Sequence, residues 1–254
     1  MKKLLFGAIG FGAIGLVMAS ATQPAVAADL PAQIYTKAPA TFVPYYSWTG
    51  CYIGIEGGGN WGRTSSTATG AGNPAFAGLP ITGNYNLSGG IVGGTVGCNY
   101  QTGSLVVGIE NDFSWTNKSG TANDITPFDP ATTNRVEEKW LDTLRGRAGF
   151  TWDRALFYGT GGAAFASQSV NICNAGVCVA DTKSRTGWVA GAGIEYAAWE
   201  NVSLKLEYLH ADFGSKNYFD PPQGNIVTRS IRLSDDMVRA GLNWRFTGPV
   251  IAKY

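Results

Sequence analysis

The sequence predicts an all-β protein: an eight-stranded antiparallel up-and-down transmembrane β-barrel. Three observations predict this fold. Apolar and polar residues alternate with a period of two in eight segments, the connections between these segments alternate between long and short, and an export signal precedes them. The 254 residues include 35 glycines and only 15% charged residues. Such a composition is typical of a barrel with a lipid-facing surface and crowded corners.

The first 27 residues have the features of a cleaved secretory signal peptide. Lys2 and Lys3 precede an apolar run from Leu4 to Met18, and Ala25-Val26-Ala27 is a small-x-small cleavage site. An N-terminal membrane anchor is the alternative, but it needs ~20 apolar residues, more than this run contains. No later stretch is continuously apolar over the ~18 residues of a helical span, so a membrane role has to use strands in a closed barrel.

The rest of the chain divides into three parts. Residues 28–47 form a Pro- and Ala-rich periplasmic linker, residues 48–246 the barrel, and residues 247–254 a C-terminal tail. The predicted strands cover about 48–61, 86–100, 105–115, 137–152, 155–169, 186–198, 202–213 and 229–246. Long polar loops are predicted at 64–85, 116–136, 170–185 and 214–228, all at one end, with short turns at the other. The Gly- and Ala-rich fifth strand does not indicate which of its faces is buried.

The apolar face of the strands is expected to contact lipid. Aromatic residues near the strand ends match the two interfaces of a bilayer, and they are Trp48, Tyr100, Trp115, Trp152, Trp188, Trp199, Trp244 and Phe246. A secreted lipocalin-like barrel would instead bury this face. The signal peptide, the aromatic residues and the one-sided loops favour the membrane barrel. Asn111 and Asp142 interrupt the apolar face.

The polar face places charged residues inside the predicted barrel. They are Glu56, Glu110, Asp112, Arg145, Arg147, Glu195, Lys205, Glu207 and Arg239. Eight strands enclose only enough room for side chains, and a buried charge without a partner is costly. Five acids and four bases allow a closed network of ion pairs. We therefore favour a polar plug that sets the strand register over a charged lining of a pore.

Four cysteines in an exported protein predict two disulfides. Cys51 and Cys98 face the same way at the same end of neighbouring strands, so they can pair. Cys173 and Cys178 would then join the third external loop. Four free thiols are the alternative, which the oxidising periplasm disfavours.

Several classes of function find no support in the sequence. The net charge is +1, and without Lys2 and Lys3 the chain has 17 basic and 18 acidic residues, so it lacks the basic surface of a nucleic-acid-binding protein. His210, the only histidine, lacks a partner for metal or triad chemistry. Gly159–Gly162 precede no helix and are not a phosphate loop. We expect no catalytic residue, no metal and no cofactor.

The last strand resembles the C-terminal assembly signal of Gram-negative outer-membrane barrels, at Arg239, Gly241, Trp244 and Phe246. Further segments resemble the Omp25/Omp31-type porin-family barrels of alphaproteobacteria, within the OmpA-like eight-stranded group. These segments are Ala28–Pro31, Trp48–Gly54, Gly108–Phe113, Leu144–Gly149 and Val238–Phe246. The tail after Phe246 departs from the family, so either Phe246 or Tyr254 can be the terminal aromatic residue of the signal.

The resemblance implies a structural protein of the Gram-negative outer membrane that supports cell-envelope integrity. A narrow diffusion channel for small solutes is the alternative. The implied partners are outer-membrane lipid and lipopolysaccharide, the barrel-assembly machinery and peptidoglycan. Some family members are attached to peptidoglycan through an N-terminal Ala-Asp pair, and cleavage after Ala27 would expose Ala28-Asp29.

Overall fold

The computed structural model describes residues 46–246 except residues 72 and 223–226. The predicted signal peptide, the Ala28-Asp29 pair and the tail lie outside the described residues. The strands are β1 (Gly50–Ala68), β2 (Pro80–Thr102), β3 (Leu105–Thr116), β4 (Ser119–Asn123), β5 (Thr133–Trp152), β6 (Ala155–Asn174), β7 (Val177–Ala197), β8 (Val202–Tyr218) and β9 (Arg229–Arg245). A 3-10 turn at Pro74–Phe76 lies between β1 and β2.

The strands form a closed antiparallel ring. Each strand pairs with its neighbours, and β1 pairs with both β2 and β9. The short β4 follows β3 between β2 and β5, so the two occupy one place in the ring. The ring therefore has eight positions, and the predicted eight-stranded barrel is confirmed. Among the described residues, no helix has the length and apolar character needed to cross a membrane.

An exposed apolar belt surrounds the half of the barrel near the short turns. Trp61, Trp115 and Trp188 lie at its upper edge, and Tyr100 and Trp152 at its lower edge, all with more than 40% of their surface exposed. The belt includes Ile55, Val92, Ile109, Phe150, Ile194, Leu206 and Leu242. From Cys51 to Trp61, β1 rises ~33 Å, which at a tilt of ~40° spans the ~25 Å of a membrane barrel's apolar band.

Above the belt the polarity of the two faces is reversed: the outer face is polar and the inner face is apolar. The outward residues there are mostly Ser, Thr and charged residues, while the inward residues form an apolar core. This core includes Leu87, Val136, Leu141, Val170, Ile172, Leu209, Phe213, Tyr218, Ile231, Leu233 and Met237. The upper barrel is thus built like a soluble one, with its polar face towards water.

This reversal of polarity explains why the predicted loop limits are wrong. β1 and β2 extend into the predicted loop 64–85, and β6 and β7 run through nearly all of the predicted loop 170–185. These two strands join at a two-residue turn, where Ala175 and Gly176 have φ of 47° and 83°, the positive values of a type I′ hairpin. Ser- and Thr-rich segments look like loops in sequence, although they form strands whose outer face meets water.

Trp48 was predicted on the outer face, and this is wrong. Its side chain is 2% exposed and packs inside the short-turn end of the barrel with Val106 and Leu156. Its backbone N–H donates to Oε1 of Gln101 at 2.7 Å. Trp48 precedes β1, and Gly50 adopts a φ of +136°, so the alternation of the strand does not extend to it.

The two polar interruptions of the apolar belt contact each other. The Asn111 amide donates to Oδ1 of Asp142 at 2.8 Å and to the carbonyl of Thr143 at 2.9 Å. Cross-strand hydrogen bonding therefore accounts for both residues.

Both predicted disulfides are present. Cys51 and Cys98 face each other in the register of β1 and β2, with Cα atoms 3.9 Å apart. Cys173 and Cys178 pair across the tip of the β6–β7 hairpin, with Cα atoms 4.1 Å apart. One disulfide thus lies near the lower edge of the belt and the other at the far end of the barrel.

Candidate functional site: the filled barrel interior

The nine charged residues predicted for the interior all lie there, each at most 4% exposed. Strand register brings several of them side by side. Glu110 is opposite Arg145 across β3 and β5, and Glu207 is opposite Arg239 across β8 and β9. Successive side chains alternate between the faces of a strand, so the same register that turns Ile109 and Leu206 to the outside turns these charges inward.

Three cations form the centre of the network. Arg145 contacts Glu110 at 2.6 Å, Glu207 at 2.8 Å and also Asp112. The ammonium of Lys205 lies 3.1 Å from Glu56 and 3.2 Å from Glu110.

Arg239 completes this centre by contacting three carboxylates, those of Glu56, Asp112 and Glu207. These three carboxylates lie close enough together to hold a metal ion. Because cations already neutralise each of them, the arrangement has the chemistry of an ion-pair network and not of a metal site.

Arg147 forms the lower part of the network. Its guanidinium lies 4.0 Å from the ring centroid of Tyr158 and 5.8 Å from that of Tyr52. It donates to the Tyr52 hydroxyl at 2.7 Å and pairs with Glu195 at 2.6 Å. Stacking and charge-assisted hydrogen bonds together hold it in a single orientation.

A second set of buried charges lies above the predicted network. Lys118 contacts Glu138 at 2.9 Å and Asp235 at 2.5 Å, and Arg229 pairs with Asp124 at 3.1 Å. Sequence reasoning missed these residues. Lys118 and Asp124 fall in segments that were assigned to a loop. A β-bulge between Glu138 and Trp140 interrupts the alternation of β5, and the alternation of Asp235 was not followed into the upper barrel.

Arg185 also lies in this upper part of the interior, and it donates to the carbonyl of Ile231 at 2.8 Å. With it, the described residues bury eight acidic and eight basic side chains, counting Arg245 at the lower mouth. Extending the period of two through the Ser- and Thr-rich segments would have found most of the residues that sequence reasoning missed.

The interior is filled along its axis. Trp48 lies at the lower mouth, the network of nine charges lies above it, the apolar core follows, and the Asp124–Arg229 pair lies near the upper end. Each layer consists of side chains buried against one another. Buried side chains therefore occupy the described interior from the lower mouth to the upper end.

His210 lies on the outer surface, where it contacts Asp236 and Trp188. Its Nδ1 is 2.9 Å from Oδ1 of Asp236, and its ring lies 5.5 Å from that of Trp188. The Tyr208 hydroxyl donates to the same carboxylate at 2.6 Å. Asp235 and Asp236 face opposite sides of β9, as their adjacency in the strand predicts.

Comparison with known proteins agrees with this geometry. The family model described as the outer membrane protein beta-barrel domain matches residues 12–246. The chain belongs to this outer-membrane β-barrel family. The expected resemblance to Omp25/Omp31-type barrels is confirmed by its relatives. It is similar to the 31 kDa outer-membrane immunogenic protein of Brucella melitensis, with 32% identity over 87% of this chain and 93% of the relative.

A second relative of this outer-membrane barrel is the 22 kDa outer membrane protein of Rhizobium leguminosarum, with 28% identity over 80% of each chain. Among solved structures, the barrel is similar to the outer membrane protease OmpT of Escherichia coli. The TM-score is 0.47 at 10% identity, over 79% of this chain and 98% of that chain.

Proposed function

We propose that this barrel is a non-conducting, non-enzymatic structural protein that supports the integrity of the outer membrane. The observation that carries the proposal is the continuous filling of the interior, from Trp48 at the lower mouth to Arg229 near the upper end. A solute would have to displace paired charges, and breaking a buried pair costs ~3–5 kcal/mol. The apolar core above the network would also have to admit water.

Bilayer recordings of the purified mature chain test the closed lumen. We expect no single-channel events when the same preparation shows the heat-modifiable gel mobility of a folded barrel. Unfolded protein of the same sequence is the control for leakage through the bilayer. Reproducible conductance steps from folded protein would overturn the proposal and favour the narrow diffusion channel.

The proposed partner of the last strand is the barrel-assembly machinery. Trp244 and Phe246 project outward at the lower edge of the belt, 56% and 51% exposed, with ring centroids 6.0 Å apart. Arg239 instead lies in the charge network, and Gly241 lies beside the Glu56 side chain. Only the aromatic part of the predicted signal is thus accessible from outside the folded barrel.

Deleting residues 247–254 tests which aromatic residue completes the signal. We expect the truncated chain to reach the outer membrane as well as the full chain does, and Phe246→Ala to lower the assembled fraction. Loss of assembly on truncation alone would identify Tyr254 as the residue that is recognised.

We also propose that the N-terminus is attached to peptidoglycan through Ala28-Asp29, which lie outside the described residues. Support comes from Tyr46 and Trp48, which lie at the short-turn end of the barrel, the periplasmic end in this family's orientation. Muropeptides carrying an N-terminal Ala-Asp fragment of the chain are expected in digests of sacculi. A free Ala28 amine in the same envelopes would end this part of the proposal.

A further inference from the structure

A buried lysine lies between two buried carboxyl groups in the upper part of the barrel interior. Nζ of Lys118 is 2.9 Å from Oε2 of Glu138 and 2.5 Å from Oδ1 of Asp235, and all three side chains are at most 1% exposed. Lys118 precedes β4, Glu138 lies on β5 and Asp235 lies on β9. Barrel closure therefore brings together an amine and two carboxyl groups that are far apart in the sequence.

The nitrogen of Lys118 lies beside the carboxyl carbon of Asp235. Oδ1 is ~1.2 Å from Cγ, so Nζ is within ~3.7 Å of that carbon, near the ~3–3.5 Å at which a nucleophile is poised to react. The contact does not have the angles of a hydrogen bond, and neither oxygen of Asp235 has such a partner among the described residues. In contrast, Nζ donates a hydrogen bond to Glu138.

Two glycines provide the space for this contact. Gly62 is opposite Asp235 in the register of β1 and β9, and a Cβ on it would lie 2.6 Å from Oδ1 of Asp235. A Cβ on Gly89 of β2 would lie 2.5 Å from the backbone N and Cα of Lys118. A larger residue at either position would displace one member of the pair.

The surroundings of the three side chains are apolar. Leu233 and Met237 flank Asp235 on the inner face of β9, and Val136 precedes Glu138 on the inner face of β5. In the part of the chain that the structure describes, no arginine pairs with either carboxyl group. An ammonium and a carboxylate are costly to bury in such surroundings, whereas an amide formed from them carries no charge.

We propose that Lys118 and Asp235 condense into an intramolecular isopeptide bond, with Glu138 as the group that transfers the protons. Glu138 first carries a proton from Nζ to a carboxyl oxygen of Asp235, which leaves a neutral amine and a carboxylic acid. Nζ then attacks Cγ, and the C–N bond forms. Glu138 carries a second proton from Nζ to the same oxygen, and the C–O bond breaks. The products are an amide and one water molecule, and Glu138 ends in its starting protonation state.

Lys205 provides a comparison within the same interior. It also contacts buried carboxylates, those of Glu56 at 3.1 Å and Glu110 at 3.2 Å. Guanidinium groups pair with both of them, Arg239 with Glu56 and Arg145 with Glu110. Such pairing keeps a carboxylate ionised, and an ionised carboxylate resists attack by an amine. We therefore expect Lys205 to stay unlinked.

The bond would join two separate parts of the ring. Lys118 follows β3, and β2 and β1 lie between β3 and β9 in the strand order. A covalent link across the interior would add to the hydrogen bonds that close the barrel. It goes beyond the proposed structural role and does not depend on whether the lumen conducts.

The intact mass of the purified mature chain, with both disulfides reduced, tests the bond. We expect this mass to be lower by one water molecule than the mass calculated for the same N-terminus, in protein that shows the heat-modifiable mobility of a folded barrel. Trypsin should not cleave after Lys118, and the digest should contain a branched peptide that joins Lys118 to Asp235. The full calculated mass in folded protein would overturn the proposal.

Three variants test the role of each residue, with heat-modifiable mobility as the control for folding. Lys118→Met lacks the nucleophile and Glu138→Gln cannot transfer the protons, so both are expected to keep the full calculated mass. Asp235→Asn is expected to lose ammonia instead of water, and thus to reach the same final mass as the linked wild-type chain.

Two further results would count against the proposal. A loss of water that persists in Glu138→Gln would contradict proton transfer by Glu138. A branched peptide at Lys205 would contradict the selection of Lys118 by its apolar, arginine-free surroundings. The mass of the wild-type chain decides whether the bond exists even where a variant does not fold.

Discussion

The side chain of Tyr52 on β1 packs over Gly97 on β2, on the inner face of the barrel. The two residues are opposite each other in the register, and a Cβ on Gly97 would overlap the tyrosine ring and hydroxyl. The same relationship recurs between Tyr158 on β6 and Gly193 on β7, where a Cβ would lie 2.5 Å from the hydroxyl oxygen. Both tyrosines reach the ion-pair network across a glycine.

Gly97→Ala is therefore expected to destabilise the barrel by ~1–3 kcal/mol through overpacking. The displaced Tyr52 would lose its 2.5 Å hydrogen bond to Glu110. Urea unfolding in lipid vesicles gives the free energy. Gly159→Ala is the control, since a Cβ there would meet no atom closer than 3.9 Å. Equal effects of the two substitutions would show that Tyr52 does not depend on the space above Gly97.

The Arg147–Glu195 pair should behave as a coupled unit. Arg147→Met leaves a buried carboxylate without its cation, so we expect a loss of ~3–5 kcal/mol. Replacing Glu195 by Gln in the same chain should recover most of that loss, because Glu110, the other carboxylate that Arg147 contacts, keeps its ion pairs with Arg145 and Lys205. A double-mutant cycle measured by urea unfolding gives the coupling. Additive losses would contradict the pairing.

Trp48 should contribute far more to stability than Trp152, although both lie near the lower end. Trp48→Ala leaves a cavity among Val106 and Leu156 and is expected to cost ~3–5 kcal/mol. Trp152 is 76% exposed, and its truncation should change the free energy of unfolding much less. A larger effect at Trp152 would contradict the burial of Trp48 in the lower mouth.

The two disulfides should differ in their contributions. Cys51–Cys98 spans a sequence separation of 47, and Cys173–Cys178 a separation of 5. Loop-closure entropy assigns ~4 kcal/mol to the longer and ~2 kcal/mol to the shorter. Paired Cys→Ser variants, each compared with the wild-type chain in the same lipid, measure both. A larger loss of unfolding free energy on removal of Cys173–Cys178 than of Cys51–Cys98 would contradict the ranking by loop-closure entropy.

The alternation of apolar and polar residues was enough to predict the barrel fold and which residues of the membrane-spanning half face lipid or the interior. In β3, Ile109 and Phe113 alternate with Glu110 and Asp112, so one period of two defines both the lipid face and the interior. An eight-strand count left no room for solvent, which made an interior ion-pair network the expected arrangement. The Cys51–Cys98 disulfide was predicted from position, because the two residues lie at the same end and on the same face of neighbouring strands.

The tertiary structure alone decided which charges pair and where the pattern inverts. Arg239 contacts Glu56 across a sequence separation of 183, a contact that depends on barrel closure and strand stagger. Val170 and Ile172 point inward, while Arg63 points outward above the belt, because the solvent outside changes from lipid to water along each strand. Local alternation specifies that two faces exist, but the depth of a residue in the membrane determines which face is apolar.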